Sequence, residues 1–259
     1  MRDPASPPSS TSRSPIGPAE ILVICACVAI LAGFMQVNGS VEYRSPPDFA
    51  SLQVDEKKRQ FFTYLRPMIS AINLRFAADH DRLRGLRVSV DQGERLSWGS
   101  RRWLHRLATR FDVGIDSMAL EAAVEMLEHR AGIVPESIVL VQAAVESGWG
   151  TSRFALEANN YFGQRCYTAN CGVAPRVPVD GARFGLARFS SASASVESYM
   201  LNLNTHEGYR EFRELRDERR NTGEPITGLS LVSGLINYSE RGPDYVAQIA
   251  LMIRTNNLE

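Results

Sequence analysis

The carboxylate with the clearest chemical context in this sequence is Glu146, near the end of the stretch VPESIVLVQAAVESG. Pro135 and the apolar residues after it predict a helix over 135–147, which Gly148 ends. A helix C-terminus carries partial negative charge and apolar surroundings oppose ionisation, so both raise the pKa of Glu146. A carboxyl group that keeps its proton near neutral pH can act as a general acid on a glycosidic oxygen. The spacing alone equally allows a solvated carboxylate at a helix end.

The residues that follow Glu146 could shape a sugar site. Gly148 and Gly150 leave room for a substrate to approach, and Trp149 and Tyr161 have flat faces on which a sugar ring could stack. A set of amide, aromatic and glycine residues completes the segment: Asn159, Asn160, Phe162, Gly163 and Gln164. Asn and Gly are also typical of tight turns, and a Phe here could belong to the core, so both interpretations stay open.

The sequence predicts neither a metal site nor a cofactor. Its histidines, His80, His105, His129 and His206, are scattered, and it has no H-E-x-x-H motif and no paired C-x-x-C motif. It also lacks the G-x-S-x-G nucleophile motif and a phosphate-binding loop. The 29 basic and 29 acidic residues give a net charge of zero. That balance argues against nucleic acid as a partner, because nucleic-acid binding needs a basic surface.

Helical periodicity dominates the chain and predicts a mainly α fold (α+β) with a small β-lobe. Apolar residues recur every three or four positions from 55 to about 84, where Pro67 should kink or split the helix. Further helices are predicted over 96–111, 117–129, 196–203, 209–219 and 244–253. Residues 163–190 are rich in Gly, Pro and Val and indicate loops with a small sheet. We divide this part of the chain into an N-terminal helical part, 55–132, and a catalytic region, 133–259.

The N-terminus has the composition of a membrane-targeting segment. Residues 1–18 are rich in Pro and Ser and should be disordered. Residues 19–37 include 17 uncharged positions from Ile21 to Val37, the lower limit for a membrane span. An uncleaved anchor is favoured over a cleaved signal peptide, because no small-x-small cleavage site follows. Residues 38–54 then form a linker, and the arginines of the first 18 residues favour a cytoplasmic N-terminus with the main domain outside.

Residues 141–164, VQAAVESGWGTSRFALEANNYFGQ, resemble a segment of the endo-β-N-acetylglucosaminidases of glycoside hydrolase family 73, and closely its Bax-type members. The resemblance includes NLNTH at 202–206 and INYSERGPDYVAQI at 236–249, and it covers roughly residues 56–258. It implies a lysozyme-like helical domain with a small β-lobe that cleaves the β-1,4 bond after N-acetylglucosamine in peptidoglycan. We expect a monomer that binds peptidoglycan glycan strands. It would be held at the bacterial inner membrane through residues 21–37, with its catalytic domain facing the periplasm.

By position, the resemblance implies that Glu146 is the catalytic acid and that Tyr238 lines the catalytic cleft. Many family members have a second acidic residue in the β-lobe, where this chain has VPVD at 177–180. Asp180 is the nearest carboxylate and is the candidate partner, although a turn aspartate before Gly181 is the simpler explanation. Without a second carboxylate, the acetamido group of the substrate could act as nucleophile, with Tyr238 positioning or stabilising it. The expected substrate-binding residues are Trp149, Asn159, Asn160, Tyr161, Phe162, Gly163 and Gln164.

Cys166 and Cys171 lie close together in the predicted β-lobe. In an oxidising envelope compartment a disulfide is the natural interpretation, and two free thiols are the alternative. Two other functions also stay open. The same fold could cleave a different bond, as a muramidase or a lytic transglycosylase, which suits a lone acidic residue. If the missing second carboxylate is fatal to catalysis, the domain would be a non-catalytic cell-wall-binding module.

Overall fold

The computed structural model describes residues 45–168, 171–173 and 185–259 and shows a mainly helical domain with a small antiparallel sheet. The α-helices, in chain order, are α1 (Val54–Asp91), α2 (Trp98–Arg110), α3 (Leu120–Arg130), α4 (Glu136–Ser147), α5 (Arg153–Ala158), α6 (Ala192–Thr205), α7 (Arg210–Thr222), α8 (Gly228–Leu231) and α9 (Pro243–Thr255). Single turns of 3-10 helix occur at Phe49–Ser51, Ile115–Ser117, Glu207–Tyr209 and Val232–Leu235. The predicted mainly α fold is therefore confirmed, and each predicted helix has a counterpart. The first helix extends to Asp91, well beyond its predicted end near residue 84, and the other ends lie close to those predicted.

Helix α1 is the longest element, with 38 residues, and packs along α3, α4 and α6. It continues through Pro67, so the predicted split at this residue is wrong. Pro67 lies on the exposed side of the helix, while Leu65, Met68 and Ile69 around it are at most 1% exposed. Packing on both sides of the proline holds the helix together, and the backbone hydrogen bond lost to proline lies on the side that faces water.

Helix α4 lies in the core and carries Glu146. Its residues from Ile138 to Ala144 are at most 1% exposed on every face, as expected for a helix without a polar stripe. The helix contacts α1, α8 and α9. Pro135 precedes its first turn, and Gly148 ends it with φ of 57°, a left-handed conformation that glycine adopts without steric cost. The predicted start and end of this helix are confirmed.

The small sheet lies in the part of the chain where loops and strands were predicted. Its strands are β1 (Arg165–Cys166), β2 (Gly172–Val173) and β3 (Gly185–Ala187), arranged β1-β3-β2 with both pairs antiparallel. Cys166 and Cys171 form the predicted disulfide, with their Cα atoms 6.0 Å apart. Because Cys166 pairs with Gly185 across the sheet, the disulfide ties the start of β2 to the opposite edge strand.

A buried arginine joins the helices that surround the core. Arg216 of α7 is 0% exposed and donates to the carbonyls of His129 at 2.8 Å and Ile133 at 3.1 Å. It also donates to Asn204 Oδ1, while the Asn204 amide donates to the Gly132 carbonyl. The carbonyls at the end of α3 thus find donors in the protein interior, as buried helix termini require. Asn204, the second asparagine of the NLNTH run, therefore has a structural contact.

The described part of the chain begins at Ser45, inside the segment predicted as a linker. Phe49 in this segment is only 1% exposed and packs edge-on against Phe61 and Tyr64 of α1. The packed domain therefore starts before residue 55. No helix in the described ranges is both long and apolar enough to cross a membrane. The predicted anchor at 21–37 lies outside these ranges, as do residues 1–18 and Asp180.

Candidate active site

A left-handed turn directly after Glu146 aims the end of α4 out of the core. Gly148, Trp149 and Gly150 have φ of 57°, 60° and 76°. The amides of Gly148 and Trp149 both donate to the Ala144 carbonyl, the pattern of a glycine-ended helix. Gly150 is buried, and a Cβ atom there would lie 2.5 Å from Phe49 Cδ2. Gly150 thus serves close packing against Phe49, and the expectation that it opens room for a substrate is wrong.

Glu146 lines a cleft of about 840 Å³. Its carboxyl group is half-buried, and Tyr245 of α9 donates a hydrogen bond to Oε1 at 2.8 Å. Burial raises the pKa of Glu146 above its ordinary value, because it penalises the charged form. The hydrogen bond from Tyr245 acts in the opposite direction and is the smaller effect. The structure therefore places at the wall of an open cleft a carboxyl group whose pKa is raised above that of a solvated glutamate.

The cleft wall combines the loop after α5, the end of α6 and the segment before α9. The other lining residues are Phe162, Gly163, Gln164, Arg165, Tyr167, Asn202, His206, Tyr209, Asn237, Tyr238, Ser239, Glu240 and Arg241. Aromatic rings and amides dominate this set, which suits the apolar faces and hydroxyl groups of a sugar chain. A second groove of about 610 Å³ between α1, α3 and α7 contains His80, His129 and Asp217. It does not include Glu146.

Tyr238 stands at the centre of the aromatic wall. Its ring stacks on that of Tyr245, with centroids 5.4 Å apart and an interplanar angle of 10°. Its hydroxyl donates to the Phe162 carbonyl at 3.3 Å. Tyr238 therefore lines the same cleft as Glu146. It contacts Tyr245, which donates to Glu146, and it contacts the NNYFG segment through Phe162. Its role in the reaction stays a prediction.

Phe162, Gly163 and Gln164 are the predicted substrate-binding residues that line the cleft. The Phe162 ring stacks on Tyr199 of α6 at 3.9 Å, nearly parallel to it. Gly163 has φ of 62°, which turns the chain toward β1. The Gln164 amide satisfies both of its atoms when its nitrogen donates to the Ser195 carbonyl and its oxygen accepts from the Ser198 hydroxyl. These contacts shape one wall of the cleft.

The two asparagines before this wall organise its backbone. Asn159 ends α5 with φ of 51° and donates to the Phe189 carbonyl at 3.1 Å. Asn160 is 1% exposed and donates to the carbonyls of Gln164 at 2.9 Å and Ala187 at 3.0 Å. Its Oδ1 also accepts from the backbone N–H of Gln164. Neither residue lines the cleft, and their contacts match the turn interpretation of the motif.

The two aromatic residues expected to stack on sugar lie elsewhere. Trp149 is half-buried against Phe61 and Phe62 of α1, with centroids 5.8 Å and 5.3 Å away, and Lys58 Nζ lies 5.7 Å from its ring. Tyr161 is 1% exposed and packs against Phe61 and Tyr64. Both rings belong to an aromatic cluster behind the motif. A stacking role for them stays a prediction that these contacts do not favour.

Several cleft residues were not singled out in the sequence. Tyr209 is hydrogen-bonded to Asn202, and burial raises the pKa of Tyr209 to about 12. His206 Nδ1 accepts from the Gly208 amide at 3.1 Å. Asn202 and His206 are the first and last residues of the NLNTH run. Their spacing of four residues places them on the same side of a helix, and this was the signal in the sequence that they could line one site. Tyr245 lies in the INYSERGPDYVAQI segment, but no sequence signal indicated its hydrogen bond to Glu146, because the two residues are 99 positions apart in the chain.

Charged groups lie at the outer part of the cleft. Glu240 and Arg241 are exposed there, and Arg241 donates to Gln248 Oε1 at 2.7 Å. Glu240 is a second carboxylate that lines the same cleft as Glu146, and no motif in the sequence indicated it. No group of three His, Cys, Asp or Glu side chains in the described ranges could hold a metal ion.

Comparisons with known proteins agree with this site. Residues 121–258 match the family model described as mannosyl-glycoprotein endo-beta-N-acetylglucosaminidase, which is more than half of the chain. Protein bax of Escherichia coli (strain K12) is 32% identical over 200 residues, covering 77% of this chain and 70% of that protein. No solved structure matches the chain significantly. The residues matched by the family model, 121–258, include the helix that carries Glu146.

The raised pKa of Glu146 leads to a prediction about stability. A carboxyl group whose pKa is higher in the folded state makes the fold less stable as pH rises from its ordinary value of 4.5 through the folded value. Glu146→Gln removes this loss and keeps an acceptor for Tyr245. We expect its melting temperature at pH 7 to exceed that of the unmodified protein by about 2–4 °C. The gain should vanish below pH 4.5.

Glu136→Gln is the matched control, at the other end of the same helix. Glu136 lies in the first turn of α4, 3.4 Å from Arg66, where negative charge is favourable. This variant should melt at the same temperature as the unmodified protein or slightly lower at pH 7. Calorimetry of both variants between pH 4 and pH 8 makes the comparison. A Glu146→Gln protein that is less stable at pH 7 would contradict the prediction.

Proposed function

The chain belongs to the glucosaminidase family of glycoside hydrolases, and on that premise we propose that it cleaves the β-1,4 bond after N-acetylglucosamine in peptidoglycan. Glu146 is the general acid of this reaction. The observation that carries the proposal is the Glu146 carboxyl group at the wall of an open cleft, with its pKa raised by burial. A glycosidic oxygen is a poor leaving group until it is protonated, so such an acid supplies what bond cleavage requires.

The aromatic wall supports a carbohydrate substrate. Tyr209 and Tyr238 contact each other at 6.1 Å between ring centroids and line the cleft beside Glu146. Burial and the nearby Glu146 raise the pKa of Tyr238 well above 10, so its hydroxyl stays protonated at neutral pH. Asn202 and Asn237 add amide groups that can bond sugar hydroxyl and acetamido groups. Glu146 is thus flanked by groups that would hold a sugar chain in register with its proton.

The mechanism also needs a nucleophile that attacks the anomeric carbon. We propose that the acetamido oxygen of the substrate attacks the anomeric carbon while Glu146 gives its proton to the leaving oxygen. Water then opens the resulting ring, and the proton that it loses returns to Glu146. Tyr238 lies where it could orient the acetamido group, since its ring packs on the tyrosine that holds Glu146. This scheme requires no second carboxylate, whereas the classical schemes use a pair.

A muramidase or lytic transglycosylase is the alternative activity, favoured by the same observation of one half-buried acid. A non-catalytic cell-wall-binding module is the third possibility. Product chemistry separates the three. A glucosaminidase leaves N-acetylglucosamine at the reducing end, a muramidase leaves N-acetylmuramic acid, and a transglycosylase leaves 1,6-anhydromuramic acid. A binding module leaves the sacculus intact.

The first functional prediction concerns these products. Purified protein should release fragments with N-acetylglucosamine at the reducing end from isolated sacculi, detected by mass spectrometry after borohydride reduction. Glu146→Gln should lower the rate by at least about 10²-fold, because the acid proton is lost. Glu136→Gln should digest sacculi at the unmodified rate. Sacculus binding without turnover, unaffected by Glu146→Gln, would identify a binding module instead.

The second prediction tests whether the acetamido group of the substrate or a second carboxylate acts together with Glu146. Under substrate assistance, Tyr238→Phe should lose about 10²-fold in kcat, while Asp180→Asn and Glu240→Gln should keep most of the activity. An inactive Asp180→Asn protein would indicate a β-lobe carboxylate partner. An inactive Glu240→Gln protein would indicate that Glu240, which lines the same cleft, is the second carboxylate. Either result would replace the substrate-assisted scheme with a two-carboxylate one.

We also propose that residues 21–37 anchor the protein in the bacterial inner membrane, with a monomeric catalytic domain in the periplasm. The uncharged run and the upstream arginines support this placement, as does the disulfide in the small sheet, which suits an oxidising compartment. External protease added to spheroplasts should digest the domain while it remains in the membrane fraction. A domain that resists the protease until the cells are lysed would place it in the cytoplasm.

A further inference from the structure

A chain of buried hydrogen bonds lies behind Glu146 and crosses three helices. The Tyr199 hydroxyl of α6 donates to Gln142 Oε1 of α4. Gln142 Nε2 donates to the Tyr245 hydroxyl of α9 at 2.9 Å, and Tyr245 donates to Glu146 Oε1 at 2.8 Å. Gln142, Tyr199 and Tyr245 are at most 2% exposed, so water does not compete for these bonds.

Every hydrogen bond in this chain points the same way, toward Glu146. An amide nitrogen can only donate, so the oxygen of Tyr245 must accept from Gln142. Tyr245 has one proton, which leaves it as a donor to Glu146. Burial raises the pKa of both Tyr199 and Tyr245 far above neutral, and both hydroxyls therefore keep the proton that the chain needs.

We propose that Tyr245 and Gln142 are positioning residues that keep the acid proton of Glu146 on Oε2, where it faces the cleft. A proton on Oε1 would point at the proton of Tyr245, so the carboxylic acid must carry it on the other oxygen. Among the described residues Oε2 has no hydrogen-bond partner, and Glu146 lines the cleft. This inference rests on the proposed role of Glu146 as general acid.

The packing of the surrounding side chains keeps the members of this hydrogen-bond chain in place. Gln142 and Glu146 lie four residues apart on α4 and so project from the same face of the helix. The Tyr245 ring stacks on Tyr238 and the Tyr199 ring stacks on Phe162, so two cleft-wall residues fix the two tyrosines. The chain thus couples the shape of the cleft wall to the orientation of the acid.

The hydrogen bond from Tyr245 to Glu146 also acts after Glu146 has transferred its proton to the leaving oxygen. Once Glu146 has given up its proton, Tyr245 donates to the carboxylate, which lowers the cost of the charge that burial penalises. Its removal should therefore raise the pKa of Glu146. If the Gln142 amide had the opposite orientation, its oxygen would accept from the Tyr245 hydroxyl, and Tyr245 would then accept from protonated Glu146. Removal of the Tyr245 hydroxyl would in that case lower the pKa of Glu146. The sign of the change separates the two arrangements.

The decisive measurement is the pKa of Glu146 by carbon-detected NMR of the full chain, in Tyr245→Phe and Gln142→Leu proteins. Tyr245→Phe should raise it by about one pH unit, and Gln142→Leu should raise it by less, because Tyr245 can still donate part of the time. Tyr64→Phe is the control, since that hydroxyl bonds to Tyr161 outside the chain. It should leave the pKa unchanged. A lowered or unchanged pKa in Tyr245→Phe overturns the proposal.

Activity on solubilised peptidoglycan fragments gives the second readout. In Tyr245→Phe the alkaline limb of the kcat profile should move up by about one pH unit. The acid plateau should fall about tenfold with KM unchanged, because the carboxyl group is then free to rotate and its proton is no longer confined to Oε2. A purely structural role would lower the melting temperature, as in Tyr64→Phe, and leave the limb in place, which would also overturn the proposal.

The NMR titration does not depend on turnover, so the two proposals can fail separately. If the native protein does not cleave peptidoglycan but Tyr245→Phe raises the pKa of Glu146, the hydrogen-bond chain stands and the glycosidase assignment falls. If the protein cleaves peptidoglycan and the pKa does not rise, the glycosidase assignment stands and the positioning role falls.

Discussion

The architecture depends on one unfavourable placement, a carboxyl group at the end of a helix with no polar face. Helix α4 is buried all round, and both its dipole and its surroundings penalise a charged Glu146. One hydrogen bond from Tyr245 offsets part of that penalty. The result is an acid whose pKa lies above its ordinary value and whose carboxyl group is held in one orientation. A solvated carboxylate would have neither property, because water would stabilise its charge and leave its rotamer free.

The elements around α4 can be understood as supports for this placement. The left-handed turn from Gly148 to Gly150 ends the helix right after Glu146, and Phe49 and Phe61 pack against it. Helix α1 runs behind this turn and supplies the aromatic cluster that takes up Trp149. In front, α9 supplies Tyr245. Glu146 thus lies between the aromatic cluster that packs on Trp149 and the stacked tyrosines Tyr238 and Tyr245. These packed elements restrict its position more than a loop would.

The NNYFG segment contributes to the site mainly through its backbone. Asn160 bonds the carbonyls of Gln164 and Ala187, which connects the loop to β3. Tyr161 is in the core, and the Phe162 carbonyl receives the Tyr238 hydroxyl. Most of the motif therefore shapes the loop, and the cleft is lined by the residues at its end together with Tyr209 and Tyr238 from distant parts of the chain. A motif can be specific to a family because its turn is demanding, even where its side chains do not reach the substrate.

The sequence by itself determined the helices and the end of α4 at Gly148, and it singled out Glu146 as the candidate acid, because these depend on local periodicity and on a motif within one segment. It also indicated the small sheet and the Cys166–Cys171 disulfide. It misjudged Pro67 and Gly150, since each depends on what packs against it from elsewhere in the chain. The sugar-stacking role of Trp149 and Tyr161 stays a prediction, which their packing against helix α1 does not favour. Only the tertiary structure revealed the hydrogen-bond chain from Tyr199 to Glu146. Its members come from three helices far apart in sequence, and a hydrogen bond depends on distance and direction in space.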